Sequence, residues 1–92
     1  MSTISLSQAH NKSPQEVREL AERLAVTLEE RYQVHSQWRG ENEIIFKRHG
    51  VKGRLQLAED EVHLELKLSL LMAPLKSRIE SEIARSLAEK LA

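Results

Sequence analysis

The sequence predicts an α+β two-layer sandwich: a mostly antiparallel five-stranded sheet carrying two helices on one face, in the order β-α-β-β-β-β-α. Three observations predict it. Apolar residues recur at helical spacing in two stretches, one behind Ser13 and one behind Pro74. Elsewhere apolar and polar residues alternate with the period of two that a half-buried strand requires. Short turn signals separate the middle strands closely enough to make hairpins.

The elements follow in order. Thr3-Ile4-Ser5-Leu6-Ser7 alternates and is the first strand. The polar stretch His10-Asn11-Lys12 leads to Ser13-Pro14-Gln15-Glu16, a helix start. Ser13 can cap, Glu16 completes a capping box, and Pro14 sits at the first helical position, where its missing N–H costs nothing. Val17, Leu20, Ala21, Leu24, Ala25 and Leu28 then share one helix face, and charged residues hold the other, to about Arg31. The period next changes to two. Val34, Ser36 and Trp38 alternate with His35, Gln37 and Arg39, and Gly40-Glu41-Asn42 forms a three-residue loop. Ile44 and Phe46 alternate with Ile45 and Lys47 up to the tight turn at His49-Gly50. Val51, Gly53, Leu55 and Leu57 follow, and Glu59-Asp60 turns the chain again.

Val62, Leu64, Leu66, Leu68 and Leu70 give the longest alternation, which Pro74 ends. Leu75 to Ala92 reads as the second helix, with Leu75, Ile79, Ile83, Leu87 and Leu91 every four residues. Such a stripe drifts slowly around an ideal helix and suits one lying obliquely across a twisted sheet. At 1.5 Å per residue this helix is roughly 27 Å long. The last strand is roughly 30 Å, so the helix can cover it. Pairing the first strand with the last gives strand order 1-5-4-3-2 and places both helices simply on one face. The other arrangement sets the first strand beside the second in a parallel βαβ unit.

Composition narrows the function. The chain has 92 residues, 14 Lys+Arg against 14 Asp+Glu, and no cysteine. That length allows one small domain, spanning residues 1–92. The balanced charge argues against a dedicated nucleic-acid binder, and three aromatics make no base-stacking ladder. Without cysteine there is neither a disulfide framework nor a thiolate metal site. Leu68–Leu75, the longest nearly apolar run, is too short to span a bilayer, and Met1–Lys12 lacks the apolar core of a signal peptide. A cytoplasmic location is expected.

Motifs for chemistry are sparse. His10, His35, His49 and His63 lack metal-ligand spacing and read as surface histidines. There is no nucleophile elbow and no phosphate-cradling glycine loop, so no catalytic, cofactor or metal site is assigned. Gly53 faces Phe46 in the expected register and makes room for its ring. Trp38, on the parity of Val34, is expected in the core. On the sheet's other face, one row holds Gln37, Ile45, Arg54 and Glu65, with an Arg54–Glu65 ion pair. The neighbouring row holds His35, Lys47, Lys52 and Lys67. Like charges directly opposite one another destabilise a sheet. Three adjacent lysines are either a solvated face or an anion site, for a phosphate, an acyl-coenzyme A tail or an acidic partner protein. Lys47, Lys52, Lys67 and His35 are the candidate binding residues.

These residues also carry a resemblance. His10, Trp38-Arg39-Gly40, the run Phe46-Lys47-Arg48-His49-Gly50-Val51-Lys52-Gly53, Leu64-Glu65-Leu66-Lys67-Leu68 and Pro74-Leu75-Lys76-Ser77-Arg78-Ile79-Glu80-Ser81-Glu82-Ile83 occur in order along nearly the whole chain. In these motifs the sequence resembles the polyhydroxyalkanoic acid system proteins, small bacterial proteins associated with polyester-granule gene regions. It departs at Gln8, where the family often has a basic residue. The resemblance implies a link to storage-polyester metabolism and supplies no catalytic residue. The first reading is a non-enzymatic accessory or interaction protein of polyhydroxyalkanoate metabolism, binding granule or synthesis proteins, or an anionic ligand, through the open sheet face. The second is a helix-grip-like domain holding an acyl or other apolar ligand between helix and sheet. The third is a small enzyme acting on hydroxyacyl substrates.

Overall fold

The alternation of Ser and Thr with Ile4 and Leu6 makes β1 (Ser2–Ala9), in a computed structural model that describes residues 2–91. The chain then enters α1 (Pro14–Tyr32) at Ser13, whose extended backbone and hydroxyl make the N-cap. Ser13 Oγ accepts from the Glu16 N–H at 3.2 Å and donates to Glu16 Oε1 at 3.2 Å. The cap is therefore reciprocal through the hydroxyl, with the Glu16 carboxylate meeting Oγ instead of the Ser13 backbone N–H. Val17, Leu20, Ala21, Leu24, Ala25, Leu28 and Tyr32 are the buried stripe.

α1 ends one residue past the expected point. Gln33 takes a left-handed conformation (φ 60°), its N–H donating to Glu29 O, while the Val34 N–H donates to Leu28 O. These two bonds close the last turn on Leu28 O and Glu29 O and swing Val34 into the core. Arg48 reinforces this end by donating from Nη1 to Tyr32 O at 2.7 Å. A cation at a helix C-terminus also complements the helix dipole.

Four strands follow: β2 (His35–Trp38), β3 (Glu43–Arg48), β4 (Val51–Leu57) and β5 (Glu61–Leu68). All neighbours are antiparallel, in the order β1-β5-β4-β3-β2. Gly40 (φ 73°) and Gly50 (φ 88°) supply the left-handed conformations of the two loops that flank β3. β5 stops at Leu68, short of the Leu70 that its alternation suggested. Among the described residues Leu68 is the last of β5 with partners on both sides, Ser2 on β1 and Val51 on β4. Only one bond lies beyond, from the Ser69 N–H to Gly50 O. The chain then folds back on Ser69 O, and Ala73–Leu75 form a single 3-10 turn. α2 (Lys76–Leu91) begins after that turn, so Leu75 precedes the helix. The expected end at Ala92 lies outside the described residues.

Both helices cover the same sheet face, α2 against β1 and α1 against β2 and β4. Ile4, Ile44, Phe46, Leu55, Leu64, Leu66 and Leu68 meet Ile79, Ile83 and Leu87 in one continuous core. Trp38 is only half-buried at its margin, with the Arg18 guanidinium 5.0 Å from the ring centroid. A cation over an aromatic face ties α1 to the edge strand β2.

Gly53 does face Phe46, but the ring is not what requires a glycine. A Cβ there would stand 2.8 Å from Leu66 Cα and closer still to Glu65 O. The backbones of β4 and β5 approach at this point, and only a residue without a side chain fits.

Two substitution sets test this packing. Leu66→Ala and Ile79→Ala should each cost about 2–5 kcal/mol in denaturant unfolding, the range for emptying a large apolar site. Parent-like melting of both variants would mean that strand or helix faces the other way. Gly53→Ala should cost about 2–3 kcal/mol or more despite adding one methyl group, because the obstructing atoms are backbone. A neutral Gly53→Ala would show that β4 and β5 can separate freely at that rung.

Candidate functional site

Short hairpin loops determine which side chains become neighbours on the open face. His49-Gly50 joins Arg48 to Val51, so Lys47 lies opposite Lys52. The turn at Glu59-Asp60 joins β4 to β5 and sets Lys52 opposite Lys67. On the other side His35 lies opposite Lys47, and beyond Lys67 the row ends at Thr3. The structure thus brings His35, Lys47, Lys52 and Lys67 into one transverse row, all exposed. Neighbouring strands are about 4.8 Å apart, so the three lysines occupy roughly 10 Å of sheet at their Cα atoms. No acid interrupts them within the row.

The second row also has the expected register, Gln37, Ile45, Arg54 and Glu65, and continues to Ser5. The expected Arg54–Glu65 pair is replaced. Arg54 Nη1 reaches Glu43 Oε2 at 4.0 Å, and Gln56 Nε2 donates to the same carboxylate oxygen at 3.4 Å. The competing acid was hidden because Glu43 sits on the adjacent rung, diagonal to Arg54. Such an exposed, long contact contributes little to stability.

Together these rows line a groove of about 790 Å³ on the uncovered face. Lys47, Lys52 and Lys67 share it with Arg39 and Arg54, while Ile45 provides an apolar floor and Glu65 is its one acid. On the opposite side, the space between helices and sheet is occupied by the apolar core.

The histidines divide. His35 joins the lysine row and His49 is exposed in a turn. His10 is not a surface histidine: it is 7% exposed. Its Nδ1 accepts the Lys12 N–H at 3.1 Å, its backbone N–H donates to Asp60 O, and Nε2 is buried without a partner among the described residues. The polar neighbours in sequence hid this burial, which the return of β5 at Asp60 and the end of α2 at Leu91 create.

His63 shares a hydrogen bond of 2.6 Å with Ser7 Oγ across β1 and β5. The β1–β5 register, Ser7 opposite His63, is the signal that reveals this pair. It lies on the exposed face, and no acid among the described residues hydrogen-bonds the imidazole. The arrangement therefore lacks the orienting group that activates a serine nucleophile. No three of the described His, Asp and Glu side chains cluster in a way that could hold a metal ion. Tyr32, at the end of α1, has its phenol pKa pushed above 10.0 by burial and then by the Glu82 carboxylate. It stays protonated, as a core residue.

The lysine row has a stability signature. Lys52 faces a lysine on each side, so Lys52→Glu converts two repulsions into two attractions. Each cross-strand charge pair is worth about 0.2–1 kcal/mol. Lys52→Glu should raise the midpoint of thermal unfolding at low salt, and high salt should erase the gain. An unchanged or lowered midpoint would mean that the ammonium groups splay too far apart to repel.

No solved structure and no curated protein matches the chain. One family model does, that of the "Putative polyhydroxyalkanoic acid system protein", over residues 4–91. The match takes in β1 from Ile4 onward, the other four strands, both helices and the whole lysine row, and the chain belongs to that family.

Proposed function

We propose that this protein is a non-enzymatic accessory or interaction protein of polyhydroxyalkanoate metabolism that binds through its open sheet face. The observation that carries the reading is the row Lys47, Lys52, Lys67, flanked by His35, along a groove of about 790 Å³. Adjacent ammonium groups cost folding free energy where they stand, and an anion set among them offsets that cost. A phosphate, the phosphorylated tail of an acyl-coenzyme A, or the acidic surface of a granule or synthesis protein has the required charge. The family supplies the metabolic context, in which a cytoplasmic site of action fits such partners. The isolated Ser7–His63 pair supports a binding role over a catalytic one.

An amide NMR titration at low salt, with phosphate and with coenzyme A, tests the proposal. Shifts should cluster on Lys47, Lys52, Lys67 and His35. They should weaken with added salt, since exposed charges are screened over about 8 Å at physiological ionic strength. Lys52→Glu should abolish them. Scattered shifts, or shifts that survive Lys52→Glu, would reduce the row to a tolerated repulsion.

A further inference from the structure

The chain is neutral overall, yet its charges are segregated. Residues 44–58 contain Lys47, Arg48, Lys52 and Arg54 and no acid. Residues 66–79 contain Lys67, Lys76 and Arg78 and no acid. These two acid-free stretches come together in space. β4 pairs with β5, Lys52 faces Lys67, and the Ser69 N–H donates to Gly50 O at 2.9 Å. The turn between β3 and β4 thus stacks on the loop that follows β5, at one end of the sheet. Charges on the helices at this end are mixed: Glu29 and Glu30 stand near the end of α1, while Glu82 of α2 is paired with Arg31 at 3.0 Å.

At this same end the loop after β5 presents Leu70 and Leu71, 80% and 63% exposed. They lie past the last paired residue of β5 among the described residues, while Leu68 and Met72 on either side turn into the core. Leu71 lies against the other turn, its Cδ2 3.9 Å from the place a Cβ on Gly50 would occupy. Behind them a groove of about 570 Å³ runs between Lys47, Lys52 and Lys67 over Val51 and Leu68. Two protruding leucines within a few residues of a band of cations form an amphipathic tip. Bulk water leaves the leucines hydrated, and a purely polar anion would use only the lysines.

We infer that this end of the molecule docks on an anionic lipid surface, with Leu70 and Leu71 entering the headgroup–acyl boundary while Lys47, Lys52, Lys67 and Lys76 lie among the headgroups. The inference goes beyond the open-face reading, because it requires the leucines and places the contact at the tip. Charge complementarity selects the occupant: a zwitterionic surface would meet the leucines and leave the lysines uncompensated. Basic residues near an anionic leaflet contribute roughly additively, and insertion of apolar side chains supplies the part that salt does not screen. No helix among the described residues is long and apolar enough to cross a membrane, so this contact is peripheral as far as helices are concerned.

Vesicle co-flotation tests the inference, using phosphatidylcholine alone and phosphatidylcholine with phosphatidylglycerol at roughly two to one. The full chain should partition onto the mixed vesicles about tenfold more strongly than onto phosphatidylcholine. The double variant Leu70→Ser, Leu71→Ser should lose most of that binding with its melting midpoint unchanged, since both side chains are exposed. In NMR, a spin-labelled lipid should broaden the Leu70 and Leu71 amides first. Equal partitioning onto both vesicles, no partitioning, or undiminished binding by the double-serine variant would each overturn the inference. The phosphate titration keeps the two ideas apart. The double-serine variant should retain phosphate shifts at Lys52 if the open face binds anions, whether or not vesicles bind the parent protein.

Discussion

Slide β3 past β4 by one residue and the protein ceases to exist. Strand side chains alternate faces, so a single-step slip of β3 would put Ile45 and Lys47 beneath the helices and expose Ile44 and Phe46. The hairpin at His49-Gly50 forbids that slip, because two residues close the turn and Gly50 alone of the pair adopts a positive φ. The turn at Glu59-Asp60 sets β5 against β4 in the same way. From those registers follow the apolar face that the helices cover, the alignment of the lysines and the contact of Gly50 with the loop beyond β5. The core and the candidate site are thus two faces of one register. A cost on one side, the like-charge row, accompanies a gain on the other, the unbroken apolar layer.

Much of this was legible in the residues, for a physical reason. Period-two alternation and turn chemistry are local properties, and here local properties determine the hairpin meander. The Phe46–Gly53 and Lys47–Lys52 pairs could be assigned because the loop between them has only two residues. What was less legible depends on neighbours distant in sequence. Nothing local says that the pairing of β5 stops at Leu68, since among the described residues its partners Ser2 and Val51 decide that. The burial of His10 depends on Asp60 and Leu91, and the glycine at position 53 answers to the backbone of β5, more than to the aromatic ring opposite. The end of α1 carried no glycine signal, because Gln33 accepts a left-handed backbone there, held by bonds to Glu29 and Leu28.

The candidate site was legible in its rows and less so in its pairings. Arg54 had an acid on each neighbouring strand, Glu65 directly opposite and Glu43 diagonal to it, and direct opposition singles out only Glu65. Side-chain length lets a diagonal neighbour compete, and Glu43 also receives Gln56. The lysines have no such competing acid in their row. Arg48 shows the contrast within one hairpin. It belongs to the same basic run as Lys47, yet its guanidinium is occupied with the carbonyls of Tyr32 and His49. Of two adjacent cations, one fastens a helix and the other faces the groove.

The segregation of charge bears on how the molecule behaves among copies of itself. With a sequence isoelectric point near 6.9, there is no net charge to hold neighbours apart at neutral pH. Charge is nonetheless uneven locally: the turn between β3 and β4 and the loop after β5 carry no acid, while Glu41, Glu59 and Asp60 stand in the loops at the other end of the sheet. Where such unlike patches of two copies meet in dilute buffer, they attract. Modest salt weakens that attraction, so such a protein salts in, becoming more soluble as ionic strength rises.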